Sequence, residues 1–159
     1  MNTQFRKGFG FGLTSGVITT LGLIVGLDAS TGSKFAVIAG IIAIAIADAC
    51  SDALGMHISE ESTYRRTTAQ IWEATLSTFF FKFAFALTFV IPFLLLSLQN
   101  ALILCIIWGL FLITTYSYHL AKKTKVAPHK VILEHVLIMV LVIVVTYFVG
   151  KATAMLFGF

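Results

Sequence analysis

Charge is what this chain has least of. Only 11% of its 159 residues are Asp, Glu, Lys or Arg, against about 25% in an ordinary soluble domain. That shortage excludes a conventional water-soluble fold. Proline is also scarce, with Pro92 and Pro128 the only two, so few places interrupt a helix. The two cysteines, Cys50 and Cys105, both fall within apolar runs, which argues against a disulfide and leaves the redox compartment open. The sequence has no nucleophile beside a base, no phosphate-binding glycine loop and no zinc motif, so a hydrolase reading has no residues to stand on and no enzyme is expected.

What is present is apolar sequence, 58% of the chain. About 20 apolar residues cross a hydrocarbon core, and five such windows fit, at 8–27, 35–58, 71–96, 101–120 and 131–157. The expected fold is an all-α, multi-pass membrane protein forming one domain. The basic N-terminus leads into a retained first span, because no convincing small-residue cleavage site follows it. Lys and Arg gather before span 1, between spans 2 and 3, and between spans 4 and 5. That bias places the N-terminus in the cytoplasm and the C-terminus outside or in a lumen. The net charge of +4 therefore reads as membrane orientation, with no nucleic-acid partner.

Span 2 carries the unusual chemistry. Asp48 and Asp52 are four residues apart on one helix face, and Met56 continues the stripe. Ionised carboxylates near mid-membrane cost at least about 2.5 kcal/mol each on the most lenient scale. A positive partner would offset that cost: a metal ion, a proton or a basic side chain. Lys82 in span 3 lies on the cytoplasmic side of the span centre, at about the depth of Asp52. It is either a permanent partner, making a salt bridge that only fixes helix packing, or a tethered cation that a metal or proton displaces. His57, Glu60 and Glu61 share a face at the cytoplasmic end of span 2 and suit a divalent transition metal. With Glu73, Glu134 and His135 they would form an acidic entrance for cations. The alternative for these residues is ordinary solvated helix ends. In span 1, Gly8, Gly12 and Gly16 are spaced four apart, which permits close helix approach.

Span 1, "GFGLTSGVITTLGLIVGL", span 2, "IAIADACSDALGMHISEES", and "VTYFVGKA" in span 5 together resemble the vacuolar iron transporter family over nearly the whole chain. The resemblance implies a homodimer of five-span chains exchanging cytoplasmic Fe²⁺ or Mn²⁺ for protons, with the ion path between paired first and second helices. Gly12 and Gly16 would then line the dimer interface. The membrane would be the cell membrane or a vacuole-like one, and beyond the transported ion no cofactor is implied. Two departures concern the path itself. Family members usually carry Asp-Gly where this chain has Ser15-Gly16, and many carry Met where it has Asp52. Against that pattern an acid is missing from span 1 and an extra one stands in span 2, as if a carboxylate were moved. The missing span 1 acid is the feature that favours a rival reading. The linker between spans 2 and 3 is also too short for the glutamate-rich metal-binding domain that many members insert there. The rival expectation is a non-transporting scaffold or subunit whose Asp–Lys pairs serve assembly.

Overall fold

A computed structural model describes residues 3–158, which fold into six helices and no strand. They are α1 (Thr3–Thr31), α2 (Lys34–Glu61), α3 (Thr68–Thr88), α4 (Val90–Leu95), α5 (Leu98–Thr124) and α6 (Pro128–Phe157). With α3 and α4 taken as one crossing, five segments are long and apolar enough to span a membrane. The chain is an all-α, multi-pass membrane protein.

The helices outrun the hydropathy windows. A 28-residue helix is about 42 Å long, against a hydrocarbon core of about 30 Å, so each projects beyond the core. Hydropathy detects only the apolar middle, whereas backbone hydrogen bonding carries the helix on through polar residues. Thus α1 continues through "DASTGSK" as far as Thr31, and Gly32 at φ +57° makes the turn. Ser33 then caps α2, its hydroxyl accepting from the Ala36 amide. A capping box between Thr67 and Gln70 opens α3, and Pro128 opens α6 at a position where its missing N–H is harmless. The expected third span is broken at Phe89. Pro92 cannot donate to the Thr88 carbonyl and its ring crowds that group, so α3 ends there and a short α4 follows.

Helix α1 is the central post. It packs most extensively on α3 and α6, and also on α2 and α5. Its glycines make this crowding possible. A Cβ at Gly12 would stand 2.9 Å from the Lys82 amide nitrogen and from the Thr78 carbonyl oxygen. One at Gly16 would stand 3.1 Å from the Lys82 carbonyl oxygen. On another face, a Cβ at Gly22 would meet Val142 of α6 at 2.8 Å. The expectation that Gly12 and Gly16 line a dimer interface is therefore corrected: their bare faces are occupied by α3 of the same chain. The spacing signals close approach, but α3 takes it up.

Candidate ion site at the membrane centre

Three helix midpoints meet at one polar cluster. Asp48 lies fourteen residues from the start of α2 and thirteen from its end. Lys82 holds the matching position in the 68–95 crossing, midway rather than displaced towards one end as its sequence position suggests. Ser15 and Thr19 flank the middle of α1. At 1.5 Å per residue the cluster is about 20 Å from either helix end.

The Lys82 ammonium contacts Asp48 Oδ2 at 2.6 Å, Asp52 Oδ2 and, at 2.9 Å, Ser15 Oγ. Two of these contacts are hydrogen bonds, to Ser15 and Asp52, and the Asp48 contact is an ion pair. Ser15 Oγ in turn donates to Asp52 Oδ2 at 2.7 Å. Thr19 Oγ1 lies 2.8 Å from Asp48 Oδ2 and 2.9 Å from the Ser15 carbonyl, so one hydroxyl proton serves both acceptors. The antiparallel run of α1 and α2 explains the pairing: hydroxyls at i and i+4 on one helix face carboxylates at i+4 and i on the other. Gly12 and Gly16 give the Lys82 backbone room against α1, and a Cβ at Gly16 would press the lysine stem at 3.3 Å.

Two carboxylates against one ammonium leave a formal charge of −1 at mid-membrane. The exposure is uneven. The Lys82 side chain is only 2% exposed, whereas those of Asp48 and Asp52 are 25% and 21% exposed. The lysine is sealed in while each carboxylate keeps an open edge. Met56 is half-buried one turn beyond Asp52.

Thr19 is the site residue that sequence reasoning missed. Its signal was the i,i+4 step from Ser15, which repeats the Asp48–Asp52 step.

The expected entrance does not assemble. Glu60 turns inward, 4% exposed, and is held by Lys7 at 2.8 Å and by Arg66, whose Nε lies 3.1 Å away as a charge contact without hydrogen-bond alignment. Glu61, one residue on, faces outward. His57 Nδ1 sits 3.1 Å from Thr75 Oγ1, with its ring edge-on to Trp72. Glu73 is half-buried on α3. Glu134 is exposed on α6, and His135 Nδ1 lies 2.8 Å from Ser117 Oγ of α5. Among the described residues no three His, Cys, Asp or Glu side chains are grouped to hold a metal ion. The acids at this end are neutralised or dispersed, so the mid-membrane cluster is the candidate site. Compared with protein-family models and with curated proteins, the chain matches none of either.

Proposed function

We propose that this chain is a transporter of divalent metal, Fe²⁺ or Mn²⁺, moving the ion from the cytoplasm outward or into a compartment in exchange for protons. The observation that carries the reading is the surplus negative charge at mid-membrane on two carboxylates that keep an open edge. Intramembrane acids facing a bundle interior mark ion and proton pathways, and transporter sites lie near the bilayer midplane. Resemblance to the vacuolar iron transporter family supports the same reading. Lys82 is then a tethered cation that occupies the site between ions. An arriving metal engages the open carboxylate edges and weakens the hold on the ammonium, and protons reset the acids. Hard oxygen ligands favour Mn²⁺ and Fe²⁺ over softer ions.

A homodimer fits this reading through α2 instead of α1. Ala39, Ala43, Ala47, Ser51, Gly55 and Ser59 recur every four residues and are all exposed, a small-residue stripe of the kind that lets helices pair in membranes. Asp48 and Asp52 follow Ala47 and Ser51 about 100° around the helix. Pairing there would bring the two sites close to the symmetry axis. Ser51→Leu should therefore shift the monomer–dimer balance in detergent towards monomer. Gly12→Leu should leave that balance alone but lower thermal stability by about 1–3 kcal/mol through overpacking against α3. Size-exclusion light scattering and thermal melts read both effects, and the reverse assignment would return the interface to α1.

A second reading, assembly without transport, is favoured by the burial of the Lys82 ammonium against Asp48, Asp52 and Ser15. The deciding assay is Mn²⁺ entry into sealed vesicles carrying a pH gradient. Uptake driven by the gradient and abolished by Asp48→Asn supports transport. Uptake no faster than in protein-free vesicles leaves the assembly reading.

A further inference from the structure

A second feature lies apart from the ion site. Helices α3 and α5 both lean on α1 but scarcely touch each other. A hydrogen bond joins them, from Trp108 Nε1 of α5 to Thr88 Oγ1 at the C-terminal end of α3, 3.1 Å. The wedge between them, lined by α1 and α5 with Phe85 of α3, is a half-open cleft of about 670 Å³, within the range of small-molecule sites. Its floor and walls are apolar, with Phe9 and Leu13 from α1, Phe85 from α3 and Leu112 from α5. Its mouth is cationic through Arg6 and Lys123, with the His119 imidazole beside them. Lys7 also lines it, with its ammonium engaged by Glu60. No acidic side chain lines the cavity among the described residues. From Lys123 to Phe111, both lining residues, is twelve residues, or about 18 Å of depth along α5.

We propose that this wedge binds one anionic phospholipid, its phosphate between Arg6 and Lys123 and one acyl chain along the Phe9–Leu13 floor. The charge order carries the assignment. Unopposed cations stand at the headgroup level of the end that Lys and Arg bias towards the cytoplasm, where anionic lipids concentrate, and an apolar slot runs from them towards the bilayer centre. A free phosphate would use the mouth and leave the slot unfilled. A second copy of this chain would bring its own basic end against these cations. A neutral lipid would use the slot and ignore the mouth. The proposal is independent of transport, and its test involves no metal.

The test is native mass spectrometry and thermal shift of the whole chain in neutral detergent. The probes are phosphatidylglycerol, phosphatidylcholine, diacylglycerol and inorganic phosphate. We expect one tightly held phosphatidylglycerol per chain, preferred over phosphatidylcholine. At roughly fivefold per basic residue, Arg6→Ala with Lys123→Ala should weaken it about twenty-five-fold. Lys122→Ala removes a neighbouring charge that does not line the wedge and whose ammonium lies over the Tyr118 ring, so it should weaken binding far less than the cavity variants. Thr115→Trp keeps every charge but blocks the wedge at its exposed rim, and should also abolish the bound lipid. Equal retention of phosphatidylcholine or diacylglycerol overturns the proposal. So does a Lys122→Ala loss matching the cavity variants, full competition by inorganic phosphate, or unchanged binding in Thr115→Trp.

Discussion

Lys82→Met is expected to be the most damaging single substitution in this protein. The methionine fills nearly the same volume, so packing is kept, but two carboxylates one helical turn apart lose their common counter-ion at mid-membrane. Breaking a buried pair by removing one partner costs about 3–5 kcal/mol, a large part of the 5–15 kcal/mol that holds a typical domain. Folded yield from membranes should collapse. Adding Asp48→Asn and Asp52→Asn to the same chain removes the orphaned charges and should restore yield to near the wild-type level. Divalent metal gives a second route to rescue. If Mn²⁺ can take the place of the ammonium, the Lys82→Met protein should gain about 2.7 kcal/mol at a hundredfold excess over its dissociation constant. A large rise in its melting temperature with Mn²⁺, absent in the triple variant, is the expected pattern. A Lys82→Met protein that melts like the wild type without metal would show that Lys82 is not the counter-charge.

The parts of this site that could be read from sequence were those fixed by helix periodicity. Asp48 and Asp52 are rare intramembrane acids, and a spacing of four puts them on one face without any tertiary knowledge. The depth of Lys82 followed from counting along its span, to within about a turn. Thr19 could not be singled out in this way. Threonines in these helices commonly bond their own backbone, as Thr14 does to Gly10 and Thr146 to Val142, so one hydroxyl aimed at a carboxylate looks like the others in sequence. The entrance residues show a different limit. Glu60 and Glu61 are adjacent, and adjacent helical positions diverge by about 100°. One therefore turns in to Lys7 and Arg66 while the other faces out. Proximity to a helix end was legible in sequence, but direction around the helix axis was not. The same holds for the glycines of α1, whose spacing announced a close neighbour without saying which helix it was.

Exchanging the charges of positions 15 and 52 should reveal whether the cluster works as a single charged unit. Ser15 Oγ and Asp52 Oδ2 are only 2.7 Å apart, so a carboxylate moved from one position to the other stays in the same place in space. That is the exchange implied by the family resemblance, in which Asp stands at position 15 and Met often at position 52. Three variants follow. Asp52→Met leaves Asp48 and Lys82 as a neutral pair, so the fold should survive while the proposed Mn²⁺–proton exchange should be no faster than in protein-free vesicles. Ser15→Asp raises the site to −2 around one ammonium. It should lower thermal stability in the absence of metal, because the third carboxylate repels the other two, and should tighten Mn²⁺ binding. The double variant Ser15→Asp/Asp52→Met restores −1, with Lys82 still within reach of both acids, and should recover both stability and exchange. Residues in contact within one ion network couple by about 0.5–3 kcal/mol in double-mutant cycles, so the two changes should be strongly non-additive in stability and opposite in sign for Mn²⁺ affinity. If their effects simply add, Ser15 and Asp52 do not share a charge. If the double variant folds well but exchanges nothing, the carboxylate at position 52 has a role that position 15 cannot supply. Recovery of both properties would make the total charge around Lys82, rather than the helix that carries it, the quantity that governs this site.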